Sequence, residues 1–164
     1  MLEWIHRRAG FDWRIPLYRK WIAYAIICAN FADIIRFQRT GSDLDFLHLR
    51  GIGPVCFSNP DQALQMLDEI WVRRIYTREF RGPTPRIVVD IGANIGLFAL
   101  YAEKLWPGCQ IHAYEPFPGN FEVLQSNARL VPASQIHTHA YAVADQTGHL
   151  PFFVKAQSGW HSLH

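Results

Sequence analysis

The residues whose types and spacing suggest chemistry lie in one short turn after an apolar run. Asp90 closes the run, and Gly92, Asn94 and Gly96 then alternate with apolar residues before a helix-like pattern begins. Glycine lets a ligand approach the backbone closely, and asparagine is one of the few other residues that tolerate positive φ. Backbone amides at the start of the following helix would favour a negatively charged group such as a carboxylate. The turn therefore predicts a ligand site.

A second polar residue stands where such a ligand would extend. Glu115 ends the next apolar stretch about 20 residues after Gly92, the spacing at which a carboxylate accepts hydrogen bonds from ribose hydroxyls. Asp90 and Asn94 alone would fit a helix-capping turn equally well, so this carboxylate is what favours a nucleoside-bearing ligand. At a strand end, Glu115 is expected to be a surface residue that can be replaced without unfolding the protein.

A parallel sheet is needed to bring these residues together, and the surrounding pattern predicts one. Strands are predicted at residues 87–91, 110–115, 136–143 and 150–154, and helices at residues 95–106 and 120–130. Consecutive βαβ units form a parallel sheet with right-handed crossovers, and a short apolar strand in such a sheet is expected to be buried on both faces. Ligands bind at the carboxyl ends of such strands, which is where Asp90 and Glu115 fall.

Two shorter regions precede this unit. Residues 1–40 are predicted to be a helical segment, with one helix over about residues 17–37. Residues 41–82 are predicted to be a hairpin followed by a helix that opens at Asn59-Pro60-Asp61. A stretch rich in proline and glycine, residues 82–85, resembles a hinge, so residues 83–164 form the α/β domain.

Composition excludes several classes of protein. With 164 residues, 49% of them hydrophobic, the chain can bury one ordinary core. A net charge of +2 without any long basic run argues against a nucleic-acid partner. Three widely spaced cysteines without a CxxC pair fit reduced thiols in a cytoplasmic protein better than disulfides or a zinc site.

One apolar run, residues 21–29, bears on membrane contact. It is well short of the roughly 20 residues that a spanning helix needs, and it lies behind too many charges for an ordinary signal peptide. We expect a buried or partner-facing helix here. Contact of this aromatic-rich helix with a membrane surface is the lesser alternative.

The turn does not match the two commonest nucleotide-binding motifs. The fingerprint G-x-G-x-x-G needs glycine where this chain has Asn94 and Leu97, and no G-x-x-x-x-G-K-[ST] occurs. The turn instead resembles motif I, D-x-G-x-N-x-G, of class I S-adenosylmethionine-dependent methyltransferases. Four stretches in order, DIGANIG, EPFP, NFEVLQSN and AVADQTG, resemble the FkbM family of these enzymes, and the resemblance covers about residues 45–164.

This resemblance implies a fold, a cofactor and a reaction. The fold would be α/β, the N-terminal half of a Rossmann-like class I methyltransferase sheet preceded by a helical and short-strand region. The cofactor would be S-adenosylmethionine, and the reaction O-methylation of a small-molecule or glycan acceptor, such as a hydroxyl of a sugar or similar metabolite. Asp90 would lie near the cofactor's amino group, Glu115 would hold the ribose diol, and Phe117 would stack on adenine. The implied cofactor-binding residues are Asp90, Gly92, Asn94, Gly96, Glu115, Phe117, Ala142 and Val143.

No catalytic base can be named from the sequence, and no metal site is expected. Asp145 precedes Gln146-Thr147-Gly148 and fits a turn better than a ligand site. His137 and His139 share a strand face, but two ligands do not make a metal site. We interpret them as ordinary strand histidines.

The residues that follow Asp90 suffice for only about half of a doubly wound sheet. A βαβ unit takes roughly 30 residues, and the K-I-D-x-E-G strand motif that the resemblance implies does not occur. We therefore expect a fragment, or a chain completed by a partner, that is not a competent enzyme alone. An exposed sheet edge would favour self-association. A non-catalytic remnant that binds the cofactor weakly or not at all stays open, and so, more distantly, does a dinucleotide-dependent oxidoreductase.

Overall fold

The computed structural model describes residues 17–131, 135–148, 152–153 and 162–163 of the chain. The helices are α1 (Leu17–Ile27), α2 (Phe31–Thr40), α3 (Pro60–Leu67), α4 (Leu97–Leu105) and α5 (Pro118–Ala128), with a π-helical turn at Asp68–Val72. The strands are β1 (Phe46–Leu49), β2 (Gly53–Cys56), β3 (Ile87–Ile91), β4 (Gln110–Tyr114), β5 (Ile136–His139), β6 (Phe152–Phe153) and β7 (Ser162–Leu163).

The core is a three-stranded parallel sheet in the order β3-β4-β5. Helix α4 packs against β3 and β4, and α5 packs against β5, so strand and helix alternate as the sequence predicts. The predicted α/β class is therefore confirmed. In the observed register Asp90 lies opposite Ala113, which brings the turn after β3 beside Glu115 at the end of β4.

The two faces of this sheet differ, and the prediction that β3 is buried on both faces is wrong. Its alternate residues Ile87, Val89 and Ile91 are 58%, 56% and 62% exposed. Both helices pack on the opposite face, where Ile111 and Ala113 of β4 are fully buried. The outer edge of β3 pairs with no strand in the described part of the chain. Self-association through this edge stays a prediction.

The predicted single helix over residues 17–37 is also wrong, because the chain breaks between α1 and α2. Cys28 forms an isolated antiparallel bridge with Leu49 of β1. The Asn30 side chain continues the contact: its Nδ2 donates to the Phe46 carbonyl and its Oδ1 accepts from the His48 amide, both at 2.9 Å. The Ala29 amide donates to the His48 carbonyl and the Ile27 carbonyl accepts the Arg50 amide, so backbone groups that would continue the helix are bonded to β1 and the residue after it.

The region between α2 and the core follows the prediction closely. β1 and β2 form an antiparallel hairpin. Helix α3 begins as predicted, since the Asn59 Oδ1 accepts a hydrogen bond from the Gln62 amide at 3.0 Å and Pro60 occupies the first turn. The π-helical turn directly after α3 was not foreseen. It packs against α1 and α4.

The C-terminal part departs from the predicted strands. β5 ends at His139, four residues earlier than predicted, so Ala142 and Val143 lie in exposed chain beyond the sheet. The strand predicted at residues 150–154 is described only at Phe152 and Phe153, which pair with β7, and its other residues lie outside the described part. Within the described ranges, no helix has the length and apolar character needed to cross a membrane.

Candidate functional site

The turn between β3 and α4 contains the left-handed backbone that its sequence predicts. Gly92, Asn94 and Gly96 have φ of 75°, 51° and 84°. The amides of Gly92 and Ala93 both donate to the Tyr114 carbonyl at 2.9 Å, which fixes the turn against the end of β4. The backbone at this strand end is therefore held in place before any ligand arrives.

The two glycines of the turn serve different purposes. A Cβ added at Gly92 would meet nothing within 4 Å, so its missing side chain leaves open space beside the turn. A Cβ at Gly96 would lie 2.6 Å from the Leu124 Cδ1, and Gly96 itself is buried. Gly96 is thus required for packing of the turn against α5, whereas Gly92 keeps a surface accessible to a ligand.

Glu115 connects this turn to the next one. Its Oε2 accepts the Asn94 amide at 2.8 Å and its Oε1 accepts the Phe117 amide at 2.9 Å. The residue is only 5% exposed, so the expectation of a surface residue that can be replaced without unfolding is wrong in its premise. Glu115 is buried because both of its oxygens close backbone turns.

Two polar atoms of the turn are enclosed without a hydrogen-bond partner. They are Asp90 Oδ2 and Asn94 Oδ1, and unsatisfied buried groups of this kind cost free energy that a ligand can recover. Burial raises the pKa of Asp90 to about 7, and the nearby charge of Glu115 contributes to the rise. A cation beside Asp90 would lower this pKa again, because it would stabilise the ionised carboxylate.

A cavity of about 600 Å³ opens above these residues, within the usual size range of small-molecule sites. Its floor is formed by the end of β3, the following turn and the start of α4, and its opposite wall by α3 and the π-helical turn. The lining residues are Gln62, Gln65, Met66, Glu69, Ile70, Tyr76, Val89, Asp90, Ile91, Gly92, Ala93, Asn94, Leu97, Phe98, Glu115, Pro116 and Asn120.

The wall from α3 and the π-helical turn was not found by sequence reasoning. Its polar members Gln62, Gln65 and Glu69 recur at helical spacing, and the Gln65 Nε2 donates to the Glu69 Oε1 at 3.1 Å. This polar stripe opposite the apolar face of α3 was visible in the sequence, but an exposed helix face shows the same pattern. Only the tertiary contact distinguishes the two.

The predicted cofactor-binding residues separate into two groups. Asp90, Gly92, Asn94 and Glu115 line the cavity together. The other four lie outside its described lining: Gly96 is packed below the turn, Phe117 is partly buried at the start of α5, and Ala142 and Val143 are exposed beyond β5. Contacts of these four with a cofactor stay predictions.

The strand histidines form a cluster on the more exposed face of the sheet. His112 Nδ1 lies 3.1 Å from His139 Nε2, and the rings of His112 and His137 stack with their centres 5.0 Å apart. Desolvation lowers the pKa of His139, and its two histidine neighbours lower it further. In the part of the chain that the structure describes, no group of three or more potential ligands is arranged to hold a metal ion.

Replacing Glu115 tests its structural role. We expect Glu115→Ala to lower the free energy of unfolding by about 2–4 kcal/mol, because two backbone amides lose a charged acceptor. Urea unfolding followed by circular dichroism measures this change. Glu122→Ala on the exposed face of α5 is the matched control and should change stability by less than about 0.5 kcal/mol. Equal stabilities for the two variants would show that the hydrogen bonds of Glu115 to the two turns do not stabilise the fold.

Sequence comparison shows that this chain is similar to known methyltransferases. Residues 90–163 match the family described as the methyltransferase FkbM domain. The chain is 35% identical over 124 residues to the 31-O-demethyl-FK506 methyltransferase FkbM of Streptomyces tacrolimicus, covering 72% of this chain and 47% of that protein. It is 39% identical over 87 residues to methyltransferase 1 of Beauveria bassiana, covering 51% of this chain and 34% of that protein. The chain thus spans about half or less of the length of these curated relatives.

A solved structure is also similar to this chain. It is coclaurine N-methyltransferase bound to N-methylheliamine and SAH, with 14% identity, a TM-score of 0.43, and coverage of 90% of this chain and 37% of that one. The likeness to this family rests on the sequence matches, and the family match at residues 90–163 includes the turn, Glu115 and β5. Through residues 90–163 the chain matches the FkbM methyltransferase domain, and over a longer stretch it is similar to a methyltransferase of that type.

Proposed function

We propose that the protein transfers a methyl group from S-adenosylmethionine to a hydroxyl oxygen of a sugar or similar small metabolite. The observation that carries the proposal is the pair of enclosed, unpartnered oxygens, Asp90 Oδ2 and Asn94 Oδ1, in the floor of the cavity. The cofactor's ammonium group would supply the hydrogen-bond donors that these oxygens lack, and a positive charge beside the Asp90 carboxyl. It would also restore the carboxylate form of Asp90.

The remaining lining fits the rest of the cofactor. Each Glu115 oxygen accepts one backbone amide and retains a second lone pair for a ribose hydroxyl. Gly92 has open space on its ligand side, where a side chain would narrow the approach. The adenine contacts of Phe117, Ala142 and Val143 belong to this proposal without being part of the observed lining.

The acceptor is proposed from the family. The Streptomyces tacrolimicus relative is named for a substrate that lacks an O-methyl group, which supports oxygen as the methyl acceptor here. S-adenosylmethionine supplies an electrophilic methyl group when bound. The chain's own residues would bind the cofactor and orient it toward the acceptor. Such positioning can account for a large part of the rate enhancement in group-transfer reactions. A cytoplasmic location belongs to the same proposal, since all three cysteines are free thiols.

A pair of glycine variants tests the cofactor assignment. Gly92 and Gly108 both have positive φ, and a Cβ at either would meet nothing within 4 Å. Gly92→Ala and Gly108→Ala should therefore lose similar stability, but only Gly92 lines the cavity. Calorimetry should show S-adenosylhomocysteine binding to the unmodified protein and to Gly108→Ala, and binding at least tenfold weaker to Gly92→Ala.

The same titrations include NAD, which should show no comparable binding because the dinucleotide fingerprint fails at Asn94 and Leu97. Preference for NAD over S-adenosylhomocysteine would overturn the assignment in favour of an oxidoreductase. Equal weakening in both glycine variants would show that backbone strain, and not the cavity, controls binding.

A further inference from the structure

A second cavity, of about 610 Å³, lies on the other side of the π-helical turn. It is an open cavity lined by α1, the π-helical turn and the residues after it, α4 and the turn after β1. No described residue lines both this cavity and the candidate cofactor cavity. The methyltransferase proposal therefore leaves it without a role.

The charged part of its lining is entirely basic. Arg50, Arg74 and Lys104 contribute to the wall, and no Asp or Glu does so in the described part of the chain. Three cations around one cavity are a strong local concentration in a chain whose net charge is +2. Such a concentration favours an anionic group at the rim of the cavity.

One of these cations is held by a backbone carbonyl, and a second extends from an unusual backbone conformation. The Lys104 Nζ donates to the Arg50 carbonyl at 3.0 Å, which fixes the amine beside the turn after β1. Arg74 has a φ of 53°, a conformation that residues other than glycine rarely adopt, and its carbonyl accepts the amides of Thr77 and Arg78. Unusual backbone of this kind is concentrated at binding sites, and here it occurs at an arginine that lines the cavity.

The rest of the lining is apolar. Ile26 on α1 and Leu105 on α4 are 67% and 42% exposed, and Trp71 and Tyr101 form a buried aromatic floor between them. Exposed large apolar side chains beside an aromatic floor favour a ligand with a hydrocarbon portion. A small inorganic anion would leave this half of the cavity unused.

We propose that this cavity binds a single-chain amphiphilic anion, with its carboxylate or phosphate among Arg50, Arg74 and Lys104 and its hydrocarbon chain against Ile26, Leu105 and Trp71. This site is independent of the proposed methyl transfer and requires no bound cofactor. Because a phospholipid headgroup offers the same chemistry, the test separates a free amphiphile from a membrane surface.

Octyl phosphate below its micelle concentration is the probe, with inorganic phosphate and octanol as its separated halves. Calorimetry should show octyl phosphate binding at least tenfold tighter than either half, and more weakly as sodium chloride is raised. Equal binding of octanol or of inorganic phosphate would overturn the proposal. So would binding to phosphatidylglycerol vesicles without binding of free octyl phosphate.

Three variants locate the site. Arg74→Gln should weaken octyl phosphate binding by about two- to fivefold, as expected for one exposed ion pair. Ile26→Glu should abolish binding by placing a carboxylate in the cavity. Arg78→Gln is the matched control, because Arg78 is exposed one turn away and does not line the cavity. All three positions are exposed, so circular dichroism should show native folding. Equal weakening by Arg74→Gln and Arg78→Gln would place the anion elsewhere and overturn the proposal.

Discussion

Replacing Asn127 with alanine is expected to destabilise the protein by about 3–5 kcal/mol, enough to unfold many domains. The Asn127 side chain is 1% exposed. Its Oδ1 accepts the Cys56 amide at 2.8 Å, and its Nδ2 donates to the carbonyls of Cys56 at 2.9 Å and Ile95 at 2.8 Å. Alanine would leave these three backbone groups without partners, each at about 1–3 kcal/mol. Urea unfolding measures the loss.

The reason for so large an effect is that one side chain joins three parts of the fold. Asn127 lies on α5, Cys56 ends β2, and Ile95 belongs to the turn that forms the floor of the candidate cofactor cavity. Ser126→Ala, on the exposed face of the same helix turn, is the control and should be nearly neutral. A loss below about 1 kcal/mol in Asn127→Ala would show that other contacts hold the hairpin to the core.

Asn127→Asp separates hydrogen bonding from side-chain size. The aspartate keeps the acceptor for the Cys56 amide but turns a carboxylate oxygen toward the carbonyls of Cys56 and Ile95. Its pKa should therefore be higher in the folded state than in the unfolded chain. Since the folded state then binds the proton more tightly, the stability of this variant should fall as pH rises through that range. A variant that is equally unstable at pH 4 and pH 7 would contradict this reasoning.

The features that the sequence predicts well are those set by local pattern. The alternation of apolar runs with helical periodicity predicts β3-α4-β4-α5-β5, because consecutive βαβ units permit few other arrangements. The glycines and Asn94 predict the left-handed turn, since few other residues adopt it. Asp90, Gly92, Asn94 and Glu115 meet at one cavity because the carboxyl ends of neighbouring parallel strands share one edge of the sheet.

The features that the sequence does not predict depend on contacts between distant residues. Helix α1 ends at Ile27 because the backbone of Ile27 and Ala29 and the side chain of Asn30 bond to β1 and the residue after it, and nothing within residues 17–37 indicates that strand. Glu115 is buried because both of its oxygens bind turn amides, whereas its place at a strand end suggests exposure. The role of Gln62 and Glu69 in the cavity wall also depends on tertiary contacts. The sequence of a polar helix face is the same whether that face meets solvent or a ligand.

Asp90→Asn should change stability and cofactor binding in opposite directions. The folded state holds the pKa of Asp90 at about 7, against an ordinary value of 3.8. Between these pH values the folded protein retains a proton that the unfolded chain has released, so its stability falls as pH rises from about 4 to about 7. Asparagine does not ionise and removes this loss. We expect Asp90→Asn to be more stable than the unmodified protein at pH 8 by about 1–3 kcal/mol, less than the full ionisation effect because its amide also needs partners.

Thermal unfolding at pH 8 and pH 4 measures the first effect. At pH 4 the gain from removing the ionisation should be lost, so that Asp90→Asn is no more stable than the unmodified protein. Asp45→Asn, an exposed carboxylate outside the cavity, is the control and should show little change at either pH. An Asp90→Asn variant that is less stable than the unmodified protein at pH 8 would show that the carboxylate has a structural partner and that its pKa is not raised.

Calorimetry with S-adenosylhomocysteine measures the second effect. Binding should be at least tenfold weaker in Asp90→Asn, because the ligand's ammonium group loses its negatively charged partner. In the unmodified protein that ammonium should lower the pKa of Asp90, so binding at pH 7 should release about half a proton per ligand, detected as a dependence of the apparent enthalpy on the buffer. The release should be absent in Asp90→Asn and should fade at pH 9, where Asp90 is already ionised. A residue that lowers the stability of the ligand-free fold but strengthens ligand binding serves function and not folding. If Asp90→Asn loses both the destabilisation and the tight binding, that function belongs to the Asp90 carboxylate.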